Sequence, residues 1–67
     1  MGRFGEALTP TEELIARHIS CGLKNKEIAE RIRRSDSSVK NQVASIFIKL
    51  GVKNRASVAA HFAKVGE

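Results

Sequence analysis

Ser37, Lys40, Asn41 and Ala44 share one side of a fifteen-residue helical pattern, Asp36 to Leu50, and together carry groups of the types that could bond base edges. A lysine ammonium donates to guanine O6 and N7, and an asparagine carboxamide bonds adenine in bidentate fashion. Serine and alanine are small enough to lie against a base edge or a thymine methyl. Ser38, Ser45 and Lys49 fall toward the flank of the same pattern, where hydroxyl and ammonium groups would meet phosphate and set register without reading sequence. Lys24, Asn25 and Lys26 cluster at a second helix start, where backbone N–H groups and the helix dipole favour a phosphate even before the lysine charges are counted.

No catalytic arrangement competes with this chemistry. No nucleophile and base stand in an evident relation, and Glu12 reads as a capping residue. One cysteine, Cys21, gives no disulfide framework, and His18 and His61 without a second cysteine give no zinc spacing, so neither metal nor cofactor is implied. Cys21 itself reads as a small buried or half-buried hydrophobe. His18 and His61 read as surface or rim residues.

Charge points to the same stretch. Of the net +5, residues 24–55 hold nine basic residues against Glu27, Glu30 and Asp36, a surplus of six, whereas the segments on either side are nearly balanced. An anionic partner would meet that middle segment. No apolar run approaches the roughly 20 residues of a membrane span, and Met1 to Gly5 lack the apolar core of a secretory signal, so the sequence predicts a cytoplasmic protein with no membrane partner.

The elements that must position these groups are four helices and no strand. Thr9-Pro10-Thr11-Glu12 has the form of a capping box with proline at the first helical position, and Leu14, Ile15 and Ile19 recur at helical spacing until Gly22. The first helix therefore runs from about Pro10 to Cys21, with Leu8 docking on the core or stapling against the aliphatic stem of Glu13. Asn25 as N-cap opens a short second helix, about Lys26 to Arg33, with Ile28, Ala29 and Ile32 inward. Ser35 caps the third helix, in which Val39, Val43, Ile46, Phe47 and Leu50 form one stripe, and Gly51 ends it. Asn54 caps a fourth, where Val58, Phe62 and Val65 make one apolar row and Ala56, Ala59, Ala60 and Ala63 an adjoining one. That helix has more apolar surface than one packed face requires, which predicts a homodimer through Val58, Phe62 and Val65. The whole chain, 1–67, reads as one domain, with 1–7 and 66–67 frayed.

A short helix and a long one joined by a tight turn at Arg33-Arg34-Ser35 have the proportions of a helix-turn-helix, the second helix entering the major groove. The run Gly22-Leu23-Lys24-Asn25-Lys26-Glu27-Ile28-Ala29, followed by Ser38-Val39-Lys40 and Lys49-Leu50-Gly51-Val52, resembles the LuxR-type (GerE-like) helix-turn-helix. With Leu8-Thr9, Glu12 and Asn54-Arg55 in order, the resemblance spans about Leu8 to Ala63. It implies an all-α four-helix bacterial DNA-binding domain of a transcription regulator, dimerising through its last helix on two half-sites of double-stranded DNA in the nucleoid. RNA polymerase or another regulator is the further partner such a regulator would be expected to meet. It also implies base-reading positions near Lys40, Asn41 and Ala44 and phosphate contacts near Lys24, Asn25, Lys26, Ser38 and Lys49. The sequence departs from the pattern at Thr11, where arginine is usual, at Ser38 for threonine and at Gln42 for histidine. It departs also at Arg34, where an apolar turn residue is normal, which leaves open a packing role or an extra phosphate contact. Two rivals share parts of the pattern. Region four of sigma factors has a similar Glu-Ile-Ala helix but not the Lys-Leu-Gly-Val ending or the fourth helix. A protein-interaction module binding another regulator through helix four, with little or no DNA binding, is compatible with the lean groove chemistry at Ala44 and Ile48.

Overall fold

The computed structural model describes residues 3–65, with side chains for residues 3–62, and contains four helices: α1 (Pro10–Ser20), α2 (Asn25–Ile32), α3 (Asp36–Leu50) and α4 (Arg55–Val65). Each start has a local cause. At α1, Thr9 Oγ1 accepts the Glu12 N–H at 3.2 Å while Glu12 Oε1 accepts the Thr9 N–H at 2.9 Å, so two otherwise unpaired donors are satisfied reciprocally. Ser35 Oγ accepts the Ser38 N–H at α3, and Asn54 Oδ1 accepts the Ser57 N–H at α4. Gly51, at φ 67°, closes α3 in the left-handed conformation that costs glycine nothing.

Three boundaries differ by a residue from the sequence expectation, the end of α1 and both ends of α2, and one changes a cap. α2 begins at Asn25, and its N-cap is Lys24, whose N–H donates to Glu27 Oε1 at 2.8 Å. Asn25 does not cap because its Oδ1 is taken by Arg55, as described below. Cys21 is exposed rather than buried: two positions beyond Ile19, it lies about 200° around the helix from the core face. Leu14, one position before the fully buried Ile15, is likewise turned outward.

α1 is the central element, packing on α2, α3 and α4, while α2 packs on α3. The core combines Ile15, Ala16 and Ile19 of α1 with Ile28 and Ala29 of α2, Val39, Val43 and Ile46 of α3, and Val58 of α4. Leu8, Leu23, Ile32, Phe47, Leu50, Val52 and Phe62 close it at the edges. α2 and α3 are therefore held at a fixed angle by a shared apolar seam, with the left-handed Arg33 (φ 58°, ψ 47°) turning the chain between them.

The segment before α1 is not frayed from residue 3 onward. Gly5 N–H donates to the Lys49 carbonyl at 2.9 Å, Lys49 Nζ donates to the Ala7 carbonyl at 3.2 Å, and the Phe4 ring lies over Gly51 in the space a Cβ there would need. Arg3 to Ala7 thus form a strap across the C-terminal end of α3. Residues 66 and 67, also expected to fray, lie outside the described residues. Among the described residues no helix is long and apolar enough to cross a membrane.

Candidate nucleic-acid interface

The core stripe of α3 leaves Ser37, Lys40 and Asn41 exposed on its outer side, with Ser38 and Ala44 half-buried at its margins and Ile48 40% exposed one turn beyond Ala44. These four candidate base-reading residues, Ser37, Lys40, Asn41 and Ala44, are brought together by helical period alone, since positions three, four and seven apart share a face. Lys24 and Lys26 are exposed at the start of α2. The structure therefore offers a surface of one long helix and one helix N-terminus, both rich in donors, carried on a rigid seam.

Asn25 plays a different part. Half-buried, it accepts from Arg55 Nη1 at 2.6 Å, and Arg55 Nη2 donates to the Leu23 carbonyl. Arg55 of α4 thereby fixes the loop and first turn that present Lys24 and Lys26. A planar guanidinium fork makes such a two-point tie, which an ammonium cannot.

Ser45 and Lys49, expected to contact phosphate, are instead in the interior, 8% and 7% exposed. Lys49 Nζ donates to Glu12 Oε1 at 2.6 Å, and Ser45 Oγ donates to Glu12 Oε2 at 2.7 Å. Glu6 Oε1 lies 3.7 Å from the same ammonium. Glu12, itself only 4% exposed, thus joins the start of α1 to α3, and Lys49 links the pair to the N-terminal strap. Burial pushes its carboxyl up, but the Lys49, Thr9 and Ser45 donors outweigh that and hold it at about 2. The hydrogen bond to Glu12 holds the Lys49 ammonium above its ordinary range despite burial. A charge committed in this way is not available to DNA.

The expected dimer residues also change. Val58 is fully buried in the monomer core and cannot form an interface unless the domain opens. Phe62 is half-buried against the core, with its ring 5.8 Å from that of His61 and the Arg17 guanidinium 5.9 Å from its centroid. The Val65 side chain lies outside the described residues. Among the described residues, α4 leaves Ala56, Ala60 and His61 exposed, so the apolar surface it shows there is made of alanines.

Sequence reasoning missed the Glu12 cluster and the Arg55 tie. A signal for the first was present. Lys49 is three residues past the buried Ile46, and Glu12 is three before the buried Ile15, so both sit at core-facing positions where an unpaired charge would be prohibitive. Nothing local marks Arg55, whose partners are about thirty residues away. Among the described residues no group of three or more His, Cys, Asp or Glu could hold a metal.

With that geometry in hand, three comparisons agree. Residues 6–63 match the model of the family described as bacterial regulatory proteins, luxR family. The transcriptional regulatory protein LnrK of Bacillus subtilis is 37% identical over 59 residues, 88% of this chain and 27% of its own length. The DNA-binding transcriptional activator DevR/DosR of Mycobacterium tuberculosis is 38% identical over 52 residues, 78% of this chain and 24% of its own length. The solution structure of the DNA-binding domain of the Erwinia amylovora RcsB protein superposes with a TM-score of 0.83 at 30% identity, covering 97% of this chain and 76% of that one. The chain spans between 7% and 27% of the length of the curated relatives it matches.

Proposed function

The chain belongs to the luxR family of bacterial regulatory proteins, and from that premise we propose that it reads specific sites in double-stranded DNA as the DNA-binding domain of a transcription regulator. In this reading α3 lies in the major groove. Lys40 and Asn41 make the discriminating contacts, with Ser37 and Ala44 close to base edges, while Lys24, Lys26 and Ser38 meet phosphate. The carrying observation is the exposed Ser37-Lys40-Asn41 face of a helix whose opposite face is locked into the core. Asn25 contributes by orienting the start of α2 through Arg55, and Ser45 and Lys49 by anchoring α3 from inside.

Dimerisation through α4, on the Ala56 and Ala60 side, would place two such faces on a two-fold site with half-sites about one helical turn apart. RNA polymerase or a second regulator, met in the bacterial cytoplasm, would then be the downstream partner. Selection of bound duplexes from a random pool at fixed salt tests the reading: an enriched palindrome supports it in full, an enriched asymmetric site removes the dimer, and no enrichment refutes sequence-specific binding in favour of a protein-interaction module.

A further inference from the structure

We propose that the Arg33–Arg34 turn is a second phosphate clamp for duplex DNA, extending the interface past the N-terminal end of α3; this rests on the groove reading of α3 given above. Among the described residues Arg33 is the one non-glycine with positive φ, at 58°, whereas Gly5, Gly22 and Gly51 occupy the other positive-φ positions. A C-terminal left-handed position normally takes glycine, because any Cβ there is strained. An arginine held in that conformation spends stability, and such strain concentrates where the side chain has a task.

Both arginines are exposed. Among the described residues neither is within ion-pair distance of an acid, although Glu30 and Asp36 stand close in sequence. Arg34 occupies a position where the luxR-type pattern implies an apolar residue, yet it contributes nothing to the core, and its backbone N–H is spent on the Ala29 carbonyl at 2.9 Å. Packing therefore does not account for it.

Position and charge supply the partner. The turn runs directly into the Ser35 cap and the first turn of α3, the end that a recognition helix inserts between the phosphate walls of a groove about 12 Å wide. That first turn is itself anionic at Asp36 and has no basic residue before Lys40. Of the nine basic residues between 24 and 55, Lys49 is buried on Glu12 and Arg55 is committed to Asn25 and Leu23. Arg33 and Arg34 are then the adjacent pair nearest the helix end, and guanidinium groups match phosphate oxygens in bidentate geometry.

Arg33→Gly and Arg34→Ala, singly and together, test this by titration on the selected duplex and on a random one across a range of salt. Each substitution is expected to reduce the slope of log affinity against log salt by about 0.9, equally on both duplexes. Arg33→Gly should at the same time raise the melting temperature, since glycine adopts the turn without strain. Binding with an unchanged slope overturns the clamp and leaves the groove reading standing, and so does a slope change that comes only with a lowered melting temperature. A parent protein that binds neither duplex overturns both.

Discussion

Replacing Glu12 by glutamine removes one negative charge while keeping a side chain whose carbonyl oxygen can accept the Thr9 N–H and whose amide N–H can donate to the Ser45 hydroxyl oxygen. What it weakens is the partnering of the Lys49 ammonium, 7% exposed, which loses a carboxylate at 2.6 Å and keeps the Ala7 carbonyl at 3.2 Å and the more distant Glu6 carboxylate at 3.7 Å. A carboxyl lowered from 4.5 to about 2 on folding contributes roughly 3 kcal/mol to stability at neutral pH. Breaking a buried pair by removing one partner costs about 3–5 kcal/mol, which agrees. A chain of 67 residues has on the order of 3–10 kcal/mol in total at about 0.05–0.15 kcal/mol per residue, so Glu12→Gln should stand at the edge of folding at 25 °C. The sign of the pH effect follows from the direction of the shift. The folded carboxyl holds its proton less tightly than the unfolded one, so the stabilisation is complete above about 4.5, declines as pH falls, and is gone below about 2. Urea unfolding followed by circular dichroism, at several pH values between 2 and 7, measures it. Adding Lys49→Met to Glu12→Gln should recover much of the loss, because no buried charge is then left without a partner. A difference between parent and Glu12→Gln below about 1 kcal/mol at pH 7, or one that does not shrink on acidification, would refute the reasoning.

Lys40→Ala should weaken binding to the selected duplex by about 1–3 kcal/mol with helicity unchanged, and an equal loss on random DNA would remove its base-reading role. Val58→Glu, which buries an unpaired carboxylate in the core, should abolish cooperative melting, whereas Ala60→Glu on the exposed side of α4 should fold normally and sediment as a monomer; a parent already monomeric on its palindrome speaks against the α4 dimer. Arg55→Lys should cost about 1–2 kcal/mol and speed amide exchange at the start of α2, since an ammonium cannot hold Asn25 and Leu23 together, and unaltered exchange there would discount the tie.

The bounds and apolar stripe of α3 were legible because their causes are local: a serine cap, a five-residue apolar stripe and a glycine that must turn left-handed. α2 was legible in kind but not in its cap, because Asn25 has the right chemistry for capping and is taken by an arginine thirty positions away. Ser45 and Lys49 were placed outside on residue type, a rule that fails when a partner compensates burial. Glu12 is 37 positions from Lys49, and one-dimensional spacing carries no information about which charges meet. Val58 was misassigned for the opposite reason: the apolar row of α4 is real, but α1 at the centre of the bundle needs it as core, so none of it is left over at that position. The exposed face of α3 survived because helical period fixes it once the stripe is known.

The strap of Arg3 to Ala7 has a practical consequence for anyone attaching something to this domain. Whatever is joined ahead of Arg3 leaves the fold beside Lys49 and Gly51, at the tail of α3. With a rise of 1.5 Å per residue, that exit is roughly 20 Å along the helix axis from Ser37. A dye, tag or fused domain there would stand clear of the reading end, yet pulling on it would load the same hydrogen bonds that hold the helix in place.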